Sequence, residues 1–402
     1  MYKRRIANDH NGKTQVTIAQ NIEEIESLRP AWESIQQNDR FTMPDADIDR
    51  YISVVKANDE TMRPHIMLIE HDDKPAAMII SRIEKHKLDL KLGYKTLLSP
   101  KLRCLTVVYG GILGEPESNL SALIVGEIME LMKSRTVDAV RFNHLRTDTP
   151  FYQAVRHRPG FLTRDHLPKT DKHWRMPVPE RMDQFYAARS HKHRSNLRRA
   201  IRKFEKDYPS HHRIDEYRNE SEVAEFIRIA AGISAKTYQA ALNVGIVDDE
   251  RTHSLLAAAA RQGWFRGHIL YAGDVACAFQ LGLGFKEVYY LVSIGYDPDF
   301  HAHLPGTVLF LKVLETLCDD PSIHTMDFYF GDAWYKQSYG TQQWQEASPY
   351  IFTPSFYPMF LNVLRSSLTS VNAGLEYVLK KIGLKEFIKR YWRSSLQESN
   401  KN

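Results

Sequence analysis

Residues 65–145 and 268–330 of this chain run through one order of elements twice, and an internal duplication of that kind restricts the fold more than any bulk property. In the first stretch an apolar strand pattern over 65–70 turns at His71-Asp72-Asp73-Lys74 into a second over 75–80. A third follows at 105–114, then helical periodicity over about 120–133 and a strand at 139–145. In the second stretch, 268–272 turns at Gly273-Asp274 into 275–283, followed by 288–295, a helix over about 307–318 and a strand at 325–330. Alternating apolar residues mark the strands and spacing of three to four marks the helices. One comparable helix lies upstream of each copy, over 22–36 and 222–238. The pattern predicts an α/β (α+β) fold in which each half is a mixed, mostly antiparallel sheet flanked by helices.

Between the copies, residues 156–171 are rich in Pro, Gly and charge with little periodicity, which places a boundary near residue 172. The expected division is a first domain at 1–171, a second at 172–353 and a helical tail at 354–402. A length of 402 residues, 43% of them apolar, suffices for two cores. There is no run of 18 uncharged apolar residues, and Met1-Tyr2-Lys3-Arg4-Arg5 leads into polar sequence, so a cytoplasmic protein is expected. Cys104, Cys277 and Cys318 are odd in number and far apart, which argues against a disulfide framework or a cysteine zinc site.

The net charge of +5 is unevenly placed. Residues 181–206 carry nine Lys or Arg against two acids, residues 356–402 carry eight against three, and the remainder is acidic. Two local basic segments on an acidic body suggest two anionic partners and argue against general nucleic-acid binding. The first is helical in spacing: Leu197, Ile201 and Phe204 form an apolar stripe, with Arg194, Arg198 and Arg202 on a neighbouring line and Arg199 beside it. Arg194, Arg198 and Arg199 are therefore candidates to hold substrate phosphates, because guanidinium groups fork around them. The alternative is a solvated helix face.

Most of the chemistry-bearing residues fall in 296–336. Tyr296-Asp297-Pro298 and Leu304-Pro305-Gly306-Thr307 sit between a strand pair and a helix, and a helix that begins Pro305-Gly306-Thr307 presents backbone N–H groups and a positive dipole end to an anion. An ordinary helix start is the competing reading. The strand at 325–330 ends in Gly331-Asp332-Ala333-Trp334-Tyr335-Lys336, which gathers ionisable groups at one strand end.

Three segments, SHKHRSNLRRAIRKFEK (190–206), YDPDFHAHLPGTVL (296–309) and DFYFGDAWYK (327–336), together resemble the CelD/BcsL-type acetyltransferases of the GNAT superfamily. That group is similar to the FemAB-type aminoacyl transferases, which also pair two GNAT-like folds. The resemblance spans about residues 20–350 and implies two tandem GNAT-like domains and an acyl-CoA-dependent N- or O-acyltransferase. It further implies acetyl-CoA or another acyl-CoA as donor, with no metal, and an acceptor related to envelope or polysaccharide synthesis. In such folds the pantetheine lies between a splayed pair of strands and the pyrophosphate meets the next helix N-terminus, here 288–295, 326–330 and Pro305-Gly306-Thr307. His301-Ala302-His303-Leu304 stands where the superfamily loop is usually richer in glycine.

Direct transfer from a thioester needs a base for the nucleophile, donors for the oxyanion and an acid for the thiolate. Asp332 is the candidate base, with Asp297 a second carboxylate, and Tyr335 the candidate acid. Lys336 and Tyr296 are candidates for substrate binding, although Asp297-Pro298 and Gly331-Asp332 also suit plain turns. His191-Lys192-His193, His211-His212 and His301-Ala302-His303 lack a third ligand at convincing spacing, so no metal site is expected. In the first half, Gly114-Glu115-Pro116-Glu117 is acidic where a pyrophosphate would sit, so only the second half is expected to bind the donor.

Beyond residue 353, Phe356, Phe360, Leu361, Leu364, Leu375, Val378, Leu379, Ile382, Phe387, Ile388, Tyr391 and Trp392 alternate with Lys380, Lys381, Lys385, Lys389 and Arg390. Such basic amphipathic helices lie on anionic membrane surfaces or pack on a domain or partner subunit. Three functions remain open: a cytoplasmic acyl-CoA transferase at or near the membrane's inner face, a FemAB-like transferase using aminoacyl-tRNA, or a nonenzymatic GNAT-fold scaffold for polysaccharide synthesis. The first is favoured, with a small-molecule or lipid- or nucleotide-linked acceptor and no DNA.

Overall fold

Elements form where sequence periodicity, caps and turn residues agree. The computed structural model describes residues 2–9, 12–39, 41–93, 95–209, 212–237 and 245–381. The chain divides into two compact units: the first runs to Lys172 and resumes at Trp344, and the second is His173–Gln343.

In the first unit, strands β1 (Tyr2–Asp9) and β2 (Gly12–Ala19) precede helices α1 (Ile22–Ser27), α2 (Arg29–Asn38) and α3 (Ile48–Lys56). The single helix expected over 22–36 is two, because Pro30 opens a new first turn and has no N–H to continue the previous one. Strands β3 (Met62–His71) and β4 (Lys74–Lys87) meet at Asp72-Asp73, both with positive φ (50° and 60°), which acidic turn residues tolerate. Then come β5 (Leu90–Leu92), β6 (Lys95–Leu98), β7 (Lys101–Leu113), α4 (Ser118–Lys133), β8 (Ala139–Phe142), β9 (Leu145–Arg146) and α5 (Pro150–His157). The strand expected over 139–145 breaks where His144 takes a left-handed conformation (φ 51°).

The second unit is built from β10 (Thr170–Pro177), α6 (Met182–Ala187), α7 (His191–Asp207), β11 (His212–Tyr217), α8 (Val223–Ala235) and α9 (Glu250–Arg261). It continues through β12 (Phe265–Ala272), β13 (Val275–Phe285), β14 (Val288–Tyr296), α10 (Pro305–Cys318), β15 (Thr325–Phe330) and α11 (Trp334–Tyr339). Its strands pair in the order β11-β12-β13-β14-β15-β10, all antiparallel except β14 with β15. The helix expected over 222–238 corresponds to α8, and residue 238 lies outside the described residues. Gly282 marks a bulge between β13 and β14 and leaves no room for a side chain, since an added Cβ would fall 2.2 Å from Tyr289 Cζ.

After β16 (Gln342–Ala347) the chain returns to the first unit through β17 (Tyr350–Phe352) and α12 (Phe356–Lys381). The first sheet is β1-β2-β3-β4-β7-β8-β17, with β7 and β8 its parallel pair. Residues up to 353 were expected with the second half. The pairing of Tyr350 with Arg141 and Phe352 with Ala139 instead makes β17 an edge of the first sheet. Helix α12 buries Leu361 with Tyr350, Phe352 and Cys104 in a core of that unit.

The two units repeat one device. The pair β7–β8 holds register from Cys104↔Ala139 to Val107↔Phe142, and β14–β15 from Val288↔Thr325 to Tyr290↔Asp327. Two residues beyond the last pair, each chain turns left-handed at a non-glycine residue, His144 in one and Tyr329 (φ 57°) in the other. The first strand of each pair then continues toward its helix, paired only with its antiparallel neighbour, β4 in one unit and β13 in the other.

Candidate active site

Where β14 and β15 part, a carboxylate is buried. Asp327, the last paired residue, is fully shielded from water and binds His173 Nε2 (2.8 Å to Oδ1) and the Arg175 Nε, both from β10. Its Oδ1 also accepts the Tyr329 backbone N–H (2.7 Å), which holds the left-handed turn. Burial would raise the Asp327 pKa, but the His173 and Arg175 charges and hydrogen bonds outweigh it and keep the carboxyl ionised. Sequence reasoning missed this trio. The available signal was a lone Asp in the apolar strand TMDFYF and two cationic residues alternating in His173-Trp174-Arg175.

Beyond Tyr290, β14 continues to Tyr296, and a 3-10 turn (Pro298–His303) leads into α10. Leu304 takes φ 50°, ψ 47°, a conformation usually left to glycine, so the glycine-poor loop still makes its sharp entry. The turn is tied down at three points. His301 Nδ1 lies 3.1 Å from the Tyr296 hydroxyl, Lys203 of α7 donates to the Ala302 carbonyl (2.8 Å), and His303 Nε2 lies 3.1 Å from Asp207. In the first turn of α10, Pro305 has no N–H, and Thr307 and Val308 both donate to the Leu304 carbonyl (2.9 and 3.1 Å). Among the described residues no acceptor takes the Gly306 N–H, and an added Cβ there would meet the Tyr296 ring at 3.4 Å.

At the end of β15, Asp332 is exposed, and its backbone carbonyl accepts from the Gln337 amide (3.4 Å). Tyr335 packs on Phe328 with ring centroids 6.2 Å apart, and burial raises its phenol pKa so that it keeps its proton. Lys336 Nζ lies 2.5 Å from the Phe330 carbonyl and 6.0 Å from the Tyr335 ring centroid. Helix α11 packs on α10 through Tyr339, which stacks on Phe310 at 4.4 Å. Burial pushes the Tyr339 phenol up to about 12 against the opposing pull of the Thr307 hydroxyl. Tyr339 and its neighbours His193, stacked at 6.3 Å, and Arg189, whose guanidinium is lowered to about 10 by burial, were not anticipated from sequence.

The expected site residues thus fall into separate groups. Asp332, Tyr335 and Lys336 share one strand end, and Tyr296 borders Pro305-Gly306-Thr307. Asp297 belongs to neither: it is buried, its Oδ1 caps the 3-10 turn through Asp299 N–H (3.1 Å), and its Oδ2 pairs with Lys236, the C-cap of α8 (2.5 Å). With both oxygens engaged it serves as a cap. Arg194, Arg198 and Arg199 lie on α7, with Arg198 over the Tyr186 ring at 4.8 Å. The two acids of that helix turn to neighbours, Glu205 to Lys312 (3.6 Å) and Asp207 to His303. Among the described residues no carboxylate pairs with Arg194, Arg198 or Arg199. His191 and His193 are on this helix, adjacent turns of which do not place alternate residues on one face, and His211 lies outside the described residues. Burial raises Cys104 and Cys277 to about 12, so neither is an activated nucleophile.

A short parallel pair thus opens onto a helix N-terminus, with a polar cluster at the end of the second strand. Residues 191–337 match the model of the acetyltransferase (GNAT) domain. No curated protein is similar enough to match the chain. Among solved structures, FemX is similar over 87% of this chain and 100% of its own, at 9% identity and a TM-score of 0.56. A conserved protein of unknown function from Bacteroides thetaiotaomicron VPI-5482 is similar over 83% and 100%, at 9% identity and 0.51. A tandem GNAT protein from the clavulanic acid biosynthesis pathway is similar over 85% and 99%, at 9% identity and 0.50. At these identities the likeness is one of fold, and the fold is a tandem of GNAT-like units.

Proposed function

We propose that the chain is an acyl-CoA-dependent N- or O-acyltransferase acting by direct transfer on a sugar, amine or envelope or polysaccharide precursor, with the donor on the second unit. One observation carries the reading. The β14–β15 pair parts after three residues, and β14 runs on through the 3-10 turn to the start of α10 and its Gly306 amide. An extended thioester arm fits between parted strands, and a pyrophosphate suits a helix start with an available amide and a positive dipole end. The corresponding start of α4 in the first unit has exposed Glu115 and Glu117, and the Gly114 N–H donates to Asp39 (3.3 Å). Carboxylates there repel an anion, which supports donor binding at the second unit alone.

In this mechanism the acceptor nitrogen or oxygen attacks the thioester carbonyl while Asp332 takes its proton. Tyr335 gives the thiolate a proton as the C–S bond breaks, and Lys336 holds a phosphate near the strand end. Tyr296 lines the approach to Gly306. The raised Tyr335 pKa keeps that proton in place through neutral pH.

A second reading, an aminoacyl-tRNA donor, is favoured by α7, whose Arg194, Arg198 and Arg199 lack carboxylate partners among the described residues and so suit phosphates. Thermal unfolding with CoA, acetyl-CoA and a longer acyl-CoA separates the two. A rise in transition temperature lost in Gly306→Glu is expected, since a ligand that binds the native state stabilises it by mass action. No rise at about 1 mM, the upper end of ordinary KM values, removes CoA and leaves the tRNA donor or a scaffold.

A further inference from the structure

We infer that helix α12 is a docking element for an anionic phospholipid surface. The inference is independent of which donor the second unit binds.

The helix has 26 residues, a length of about 39 Å at 1.5 Å per residue. One side is committed to its own unit. Leu361 is in the core, Arg365 pairs with Asp165 (2.6 Å), Asn362 donates to the Leu162 and Arg164 carbonyls, and Asn372 binds Gly93 N–H (2.7 Å) and the Lys91 carbonyl (2.8 Å). At about 100° per residue the opposite side is a single sector holding Phe356, Phe360, Val363, Val371 and Val378. These are 82%, 51%, 50%, 50% and 52% exposed. Ser367 and Gly374 fill the remaining places, so the stripe carries no carboxylate along its length.

Charge selects the occupant. The helix closes on exposed Lys380 and Lys381, and the sequence after it adds Lys385, Lys389, Arg390, Arg393 and Lys401 against Glu386 and Glu398. The two segments that grip α12 have the same chemistry. The β5–β6 hairpin exposes Leu97 and Leu98 between Lys95 and Lys101, and the loop held by Asn362 exposes Phe161 (68%) under the Arg164 guanidinium. Apolar side chains with a basic border match a layer of acyl chains beneath anionic headgroups. A second copy of the chain seated on this face would instead set cation against cation. No described helix is long and apolar enough to cross a membrane, so α12 lies on the surface without spanning it.

The test is sedimentation of the full chain with vesicles of phosphatidylglycerol and phosphatidylcholine, alongside pure phosphatidylcholine vesicles and light scattering of the protein alone. Binding to the anionic vesicles, weakened by salt, is expected, with at least a tenfold loss in Phe360→Glu/Val371→Glu and a clear loss in Lys380→Glu/Lys381→Glu. All four side chains are exposed, so the thermal transition of both variants and any CoA-induced shift should match the parent, which separates this result from the donor reading. If the glutamate pair lowers the transition, the lysine pair decides. No binding to anionic vesicles, or binding unaffected by both pairs, overturns the inference. A dimer that the glutamate pair dissociates also overturns it and assigns the stripe to a second copy.

Discussion

His65 shows how burial sets the response to acid. It is 1% exposed, its Nδ1 lies 3.3 Å from the Gln20 amide, and burial lowers its pKa from 6.5 to about 4. The native state holds this imidazole neutral while the unfolded chain binds a proton at about 6.5, so between those values the unfolded state carries more protons and stability falls as pH falls. The loss is fully incurred below pH 4, absent above 6.5, and on the order of 3 kcal/mol. Urea unfolding at pH 7.5 and 4.5 should show a smaller difference for His65→Gln than for the parent; an unchanged difference would mean another group governs it. At this scale the candidate site was partly legible. Asp332, Tyr335 and Lys336 lie within five positions and need only a strand end to be brought together. Asp297, expected as a second carboxylate of the site, is paired with Lys236, which lies 61 residues away and so left no local signal.

Among the elements, β15 depends on a contact that periodicity cannot display. Asp327, His173 and Arg175 meet across antiparallel β10 and β15, at positions 327 and 173 to 175, far apart in sequence. Replacing Asp327 by Asn keeps an acceptor for the Tyr329 N–H but leaves the Arg175 guanidinium without its buried counter-charge, which should cost about 3–5 kcal/mol. Hydrogen exchange at Tyr329 and Phe330 should rise in that variant, and unchanged exchange would remove Asp327 from the account of why β14 and β15 part. The elements themselves were well signalled. The strand over 325–330 and the helices near 120–133 and 307–318 follow from alternation and three-to-four spacing, and their ends move by two residues at most where Ser118 and Pro305 open the helices. Left-handed His144, Leu304 and Tyr329 were not legible, because nothing local marks a non-glycine residue for positive φ.

At the scale of the molecule, the chain leaves its first unit, builds the second and returns. A chain ending at Gln343 loses the β17 edge and the buried Tyr350, Phe352 and Leu361, each contributing about 1.5–3 kcal/mol. Hydrogen exchange of that truncated chain should show protection lost in β8 and retained in β13 and β14; loss in both would show that the units do not fold separately. The sequence by itself determined the duplication, the class of fold and the helix start at Pro305-Gly306-Thr307, because alternation, helical spacing and turn residues act between near neighbours. Tertiary structure alone decided that Tyr350–Phe352 serves the first sheet, that Asp297 is a cap and that Asp327 sits where the strands part. Strand pairing and burial of charge depend on partners 61 residues apart for Asp297 and Lys236 and more than 200 apart for Tyr350 and Arg141, and no local pattern encodes which partner that is.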